Sequence, residues 1–198
     1  MDIPSFLRPL ALAAGPVTVV ALGLEVAALT TAGAGSDSSP LAVAASAMLL
    51  VAVLGIGAAA LAALVRLREA GRTVGAPALA LDGTVLVAGG TWAALFVLPA
   101  LASAAPDVLE SGALGGVMVG YIASYAVFAV GWLTTGIALL RSRIVSAWLG
   151  VLVAVGGALA FVPAPESFRL LLISVAVSLV AHRITAPSPD RIPETAAA

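Results

Sequence analysis

Apolar positions along this chain come in long unbroken runs, and the charged ones sit in short clusters between them. The runs cover residues 9–32, 40–65, 78–104, 112–140, 145–162 and 167–182. A helix of about 20 residues crosses the roughly 30 Å of bilayer hydrocarbon, so most of these runs have the length of a membrane span. The stretches between them carry turn chemistry: "GAGSDSSP", "REAGRTVGAP", "APDVLESG", "RSR" and "PAPES". The pattern predicts an all-α polytopic bundle of six transmembrane helices in one domain, residues 1–184. A proline-rich tail, 185–198, is expected to be disordered.

The sixth run is the weakest, because only Leu170 to Ala181 is free of charge. Twelve residues rise about 18 Å, so a full span requires Arg169 and Arg183 to reach opposite interfaces. The first run has a competing interpretation as a secretory signal, with Arg8 at its start and "AGA" at 32–34 as the cleavage point, which would leave five spans.

Composition agrees with the pattern. Only 10% of the residues are charged and mean hydropathy is +1.16, against roughly a quarter charged in soluble domains. Every basic residue other than the single histidine is arginine, and eight of the nine arginines fall on one side of the predicted topology: Arg8, Arg66, Arg68, Arg72, Arg141, Arg143, Arg183 and Arg191. That asymmetry puts both termini in the cytoplasm, and it places the protein in a cell inner membrane with the bilayer as its first partner. Arg169 is the one cation on the other side, with Asp37, Asp107, Glu110 and Glu166.

Several chemistries drop out. The chain has no cysteine, which removes disulfides, thiolate metal sites and thiol nucleophiles. Lysine is absent too, so no Schiff base can form. His182 alone makes no metal or haem site, and Ser174 and Ser178 have no histidine at their depth to act as a base. No phosphate-binding loop or dinucleotide fingerprint occurs, and a net charge of −1 suggests no nucleic-acid partner. No catalytic residue, metal or cofactor is therefore assigned.

Glu25 is the exception in an otherwise apolar first helix. An ionisable group at depth costs on the order of 3 kcal/mol and turns toward protein or water. It shares a face with Ala14, Thr18, Ala21, Ala28 and Ala32, the small side that packs on neighbours, and lies about 24 Å from Pro9. Arg169 is its natural partner: either the two form an ion pair pinning helix one to helix six, or Glu25 belongs to a ligand or proton site. Tyr121, Tyr125, Phe128 and Trp132 form one stripe on the fourth helix, as core or as pocket wall, and Trp92 is a further candidate wall.

Gly112, Gly116, Gly120 and Ser124 form a small-residue row suited to another helix or a second copy of the chain. Asp82, near the cytoplasmic start of the third helix, is expected to pair with arginines at that interface. It lies roughly 15 Å from Glu25, too far for a relay. Pro16 and Pro99 are expected to bend their helices.

The segment "GWLTTGIALLRSRIVSAWLGVLVAVGGALAFVP", residues 131–163, resembles a helix junction in a bacterial membrane family known as domain of unknown function 4386. Arg141, Ser142, Arg143, Trp148, Leu149 and Gly150 carry the likeness, and Ala147 stands where that pattern has proline. The resemblance implies six helices and no activity. On the residues themselves, the leading expectation is a non-enzymatic protein that binds a small apolar or amphipathic molecule, a lipid or a membrane partner. Glu25 and Arg169 would be its polar anchor, with Tyr121, Tyr125 and Trp92 as walls. A proton-coupled carrier using Glu25, an intramembrane enzyme and a structural subunit are the alternatives.

Overall fold

The computed structural model describes residues 7–32, 39–105, 107–108 and 115–185. The tail, the stretch at 33–38 and Gly112 lie outside these. The described residues contain no strand and form six principal helices. They are α1 (Leu7–Ala32), α2 (Pro40–Glu69), α3, α4 (Gly115–Ser142), α5 (Ala147–Leu159) and α6 (Glu166–Thr185). Helix α3 is a rod of three parts: α-helical Gly75–Trp92, a π-helical turn Ala93–Val97 and a closing piece Leu98–Ala104.

Four helices are long and apolar enough to cross a membrane: Leu7–Thr31, Pro40–Glu69, Gly75–Leu101 and Gly115–Ser142. Helix α5 is shorter, at 13 residues. Helix α6 is 20 residues long, about 30 Å of rise, because it runs through both Arg169 and Arg183 instead of stopping at the charge-free stretch.

Each helix packs against its neighbour in sequence, and α6 closes back on α1 and also touches α2. The result is a ring with its core on the inner sides, where Ile56, Phe128, Trp132, Leu149, Leu170 and Ile173 are buried. The outer sides expose Val19, Val26, Leu54, Val85, Val119 and Leu179, the inverse of a soluble surface and the surface that lipid requires. The alternation collects Arg66, Arg68, Arg72, Arg141, Arg143 and Arg183 at one end of the bundle. Glu25, Glu166 and Arg169 lie toward the other.

Glycine sets the helix spacings. A Cβ on Gly83 would stand 2.4 Å from the Phe128 backbone, and one on Gly131 would stand 2.5 Å from the backbone of Ala80, so α3 and α4 touch main chain to main chain at two levels. Gly136 meets Ala154 between α4 and α5, Gly156 meets Ile173 between α5 and α6, and Gly55 meets the Leu10 carbonyl between α2 and α1. Lipid tails are as apolar as leucine, so helices gain by close backbone approach more than by burying side chains. The row on α4 behaves differently: a Cβ on Gly116 or Gly120 would meet no atom of the described residues within 4 Å.

The two prolines are accommodated locally. Helix α1 runs unbroken through Pro16, and beside it the Ser178 hydroxyl accepts the Gly15 N–H at 2.8 Å and donates to the Ala11 carbonyl at 3.1 Å. A side chain of α6 thus ties together two backbone groups one turn apart in α1. In α3, Pro99 lacks an N–H and its ring crowds the carbonyl four residues back. The turn just before it is widened, with the Leu98 N–H donating to the Ala93 carbonyl five residues away.

Asp82 departs from expectation. Its side chain is exposed and makes no ion pair among the described residues, whereas Arg66 pairs with Glu69 at 3.3 Å. Asp82 precedes the buried Gly83 and Thr84, so it points to the outer side of α3 while the arginines cluster around the helix ends.

A branched side chain at Gly131 must push α3 from α4, whereas Gly120 is open. Gly131→Val is therefore expected to lower unfolding stability by about 3 kcal/mol or more, and Gly120→Val by less than about 1 kcal/mol, measured by denaturation in mixed micelles.

Candidate functional site

The antiparallel seam between α1 and α6 builds the first part of the site. Gly15 meets Ser178 and Thr18 donates to Ser174 at 2.8 Å; one further step outward, the Ser167 hydroxyl donates to Oε2 of Glu25. The small face of α1 makes this seam possible: Ala14, Thr18, Ala21 and Ala28 are buried, while Val19, Val26 and Leu29 face outward. Glu25 is half-buried at the edge of this face and takes its hydrogen bond from the first turn of α6.

Helices α3 and α4 supply the second part. Tyr125, buried in the aromatic stripe, donates its hydroxyl to Oε1 of Glu166 at 2.7 Å, and Thr91 of α3 donates to the same oxygen at 2.9 Å. The stripe is continuous: Tyr121 and Tyr125 have ring centroids 5.0 Å apart, and Tyr125 to Phe128 and Phe128 to Trp132 are each 6.3 Å. At its base the Trp132 indole N–H donates to Thr84 at 3.1 Å, so the stripe is anchored in the core. Phe128 and Trp132 are therefore packing, and the two tyrosines reach the polar cluster.

Arg169 lies between these parts. Its guanidinium carbon sits 3.9 Å from the Tyr125 ring centroid and 5.4 Å from that of Tyr121, and it donates to the Tyr121 hydroxyl. A cation over an aromatic face is attracted by the ring quadrupole, more strongly where water is excluded. The Arg169 Nε is buried and has no hydrogen-bond partner among the described residues.

The expected Glu25–Arg169 ion pair is not formed. The carboxylate is held by Ser167 and the guanidinium by tyrosine rings. Residues 167 and 169 are about 200° apart around α6, so one faces α1 when the other faces α4. Of the sequence candidates, Tyr121, Tyr125 and Arg169 come together, and Glu25 joins the same end of the bundle through Ser167. Trp92 does not join: it is 51% exposed, with its ring 5.7 Å from that of Phe96. Its neighbour Thr91 holds the inward position on α3, and one residue further turns the side chain by about 100°.

Glu166, Ser167 and Thr91 were missed by sequence reasoning. Glu166 was counted as an acid of an external loop, but helix α6 begins at this residue. The signal available was "ES" after "PAP", an acidic first turn of the kind that favours a helix N-terminus.

In this cluster, Tyr125→Phe removes one of two donors to Glu166. The expected loss is about 1–2 kcal/mol of unfolding stability, with Tyr121→Phe costing less because its hydroxyl meets no carboxylate. Parallel denaturation of the two variants checks the order, and equal losses contradict the assignment.

Against known proteins, the chain matches no family model, no curated protein and no solved structure.

Proposed function

We propose that this chain is a six-span protein of a bacterial inner membrane, with its arginine-rich end in the cytoplasm. It binds a small amphipathic molecule or lipid at the polar cluster of Glu25, Glu166, Arg169, Tyr121 and Tyr125. One observation carries the reading: two carboxylates and one guanidinium share an end of an apolar bundle without an ion pair between them. Charges in an apolar setting pair wherever geometry allows. Here hydroxyls and rings hold each charge apart, and among the described residues one oxygen of each carboxylate has no donor and is open to a further one. With acceptors in excess, the favoured head group is cationic and hydrogen-bond donating, such as a primary ammonium, with its apolar chain along the tyrosines and the lipid-facing helices.

Dodecylamine is a suitable probe. At a concentration near 100 times its dissociation constant, it is expected to stabilise the protein by about 2.7 kcal/mol. Glu25→Gln is expected to remove most of that gain, and dodecyl alcohol to give little. Equal stabilisation of the variant and the parent by dodecylamine would falsify the assignment.

A proton-coupled carrier is the second reading, favoured by the half-buried Glu25 hydrogen-bonded within an apolar helix. It expects Glu25→Gln to abolish flux in proteoliposomes while the fold is kept.

The topology has its own test. The chain contains no cysteine, so single cysteines report sidedness cleanly. A thiol reagent that does not cross membranes is expected to label position 72 only from the cytoplasmic side and position 107 only from the outer side. The same side for both contradicts an odd number of spans between them.

A further inference from the structure

At the arginine-rich end, a partly open cavity of about 450 Å³ lies between the α2–α3 turn and the last two turns of α4. Its lining includes Leu67, Arg72, Thr134, Ile137, Arg141 and Ser142. Two arginines and no acidic residue line it, and neither guanidinium has a hydrogen bond or an ion pair with any described residue. The other cation nearby in sequence, Arg66, is already paired with Glu69.

The cavity is set by backbone geometry. Helix α2 ends with Gly71 in the left-handed region, φ 65°, the Gly71 N–H on the Arg68 carbonyl at 3.0 Å and the Arg72 N–H on the Leu67 carbonyl at 2.9 Å. This double bond pattern is a glycine C-terminal cap, and it fixes Arg72 over Leu67, both of them lining residues. On the facing side, Thr134, Ile137, Ala138 and Arg141 are one stripe of α4, about 10 Å from the first to the last. The cavity is thus graded: apolar and hydroxyl-bearing inward, cationic where the helices end. Thr134 and Ser142 donate to the Val130 and Leu139 carbonyls, at 2.7 and 3.0 Å, so toward the cavity their oxygens offer lone pairs.

We propose that this cavity binds a phosphate monoester or diester, with Arg72 and Arg141 donating to the phosphate oxygens and Thr134 and Ser142 accepting from hydroxyls on the attached group. Guanidinium forks match phosphate in charge and shape. The sources of such a group are an anionic glycerophospholipid of the cytoplasmic leaflet and a free phosphate compound. The apolar inner wall of Leu67, Ile137 and Ala138 fits the lipid.

The test is native mass spectrometry of the full chain released from nanodiscs of equal parts phosphatidylglycerol and phosphatidylcholine, with a parallel titration by inorganic phosphate. Retention of phosphatidylglycerol is expected to exceed that of phosphatidylcholine by tenfold or more. Arg72→Gln with Arg141→Gln is expected to abolish the preference, while Arg183→Gln, which removes a charge outside the cavity, leaves it intact. Inorganic phosphate that binds the parent chain but not the double variant, without any lipid preference, assigns the same site to a soluble ligand. If the double variant keeps the parent's lipid preference and phosphate response, or Arg183→Gln loses as much as the double variant, the proposal fails. Arg72→Lys with Arg141→Lys guards against a folding defect: it retains the charge and is expected to keep part of the preference. The outcome is independent of Glu25 and the cluster at the opposite end.

Discussion

The backbone contact between α3 and α4 is the constraint from which the rest of the bundle follows. Gly83 lies against Phe128, and Gly131 lies against Ala80. Two such contacts, one on each helix, lock both the separation and the register of the pair, since sliding either helix by one residue brings a Cβ into a backbone atom. With the register locked, Thr84 falls under the Trp132 indole, and Thr91 reaches the same Glu166 oxygen as the Tyr125 hydroxyl. Glu166 is captured where these two hydroxyls converge. The site is therefore a consequence of glycine placement about two to three turns away along each helix, and small residues carry as much of the functional geometry as the charged ones.

The second seam, between α1 and α6, works by hydroxyls. Ser178, Ser174 and Ser167 on α6 meet Gly15, Thr18 and Glu25 on α1 in antiparallel order. Each of these bonds replaces a partner that lipid cannot supply, and together they hold α6 although its ends carry Glu166, Arg169, His182 and Arg183. A serine that looks redundant as a nucleophile is a tie between helices. In the same way, the aromatic stripe divides its labour: its inner half packs, and its outer half presents hydroxyls and ring faces to charges.

The helical class and the apolar runs were legible because lipid and helix geometry leave few alternatives. The inward face of Glu25 was also legible, from the small residues at helical spacing around it. What could not be read was partner choice. Glu25 and Arg169 are the obvious opposite charges, yet α6 presents residues 167 and 169 to different neighbours, and only the placement of the sixth helix between α1 and α5 reveals this. Trp92 was lost for a related reason: one residue decides which side of α3 faces the core, and a period of 3.6 does not specify where that face begins. Asp82 shows the same limit, since its outward direction follows from Gly83 and Thr84 being claimed by α4. The π-helical turn left no periodic trace at all, although Pro99 was a visible reason for some local adjustment.

Arginine excess at one end of a membrane protein has a general cause, because positive residues fix orientation during insertion. That cause acts on number and side, and it is indifferent to which arginines are neighbours. Arg143 and Arg183 satisfy it as well as Arg72 and Arg141 do. The latter pair differs in that a glycine cap holds one, a helix stripe holds the other, and both border a single cavity without a carboxylate to neutralise them. Insertion alone requires none of these three features. Their coincidence is what the proposed recognition site adds to a topological signal: two guanidinium groups face one cavity at this end, while two carboxylates and a ring-held guanidinium gather at the other.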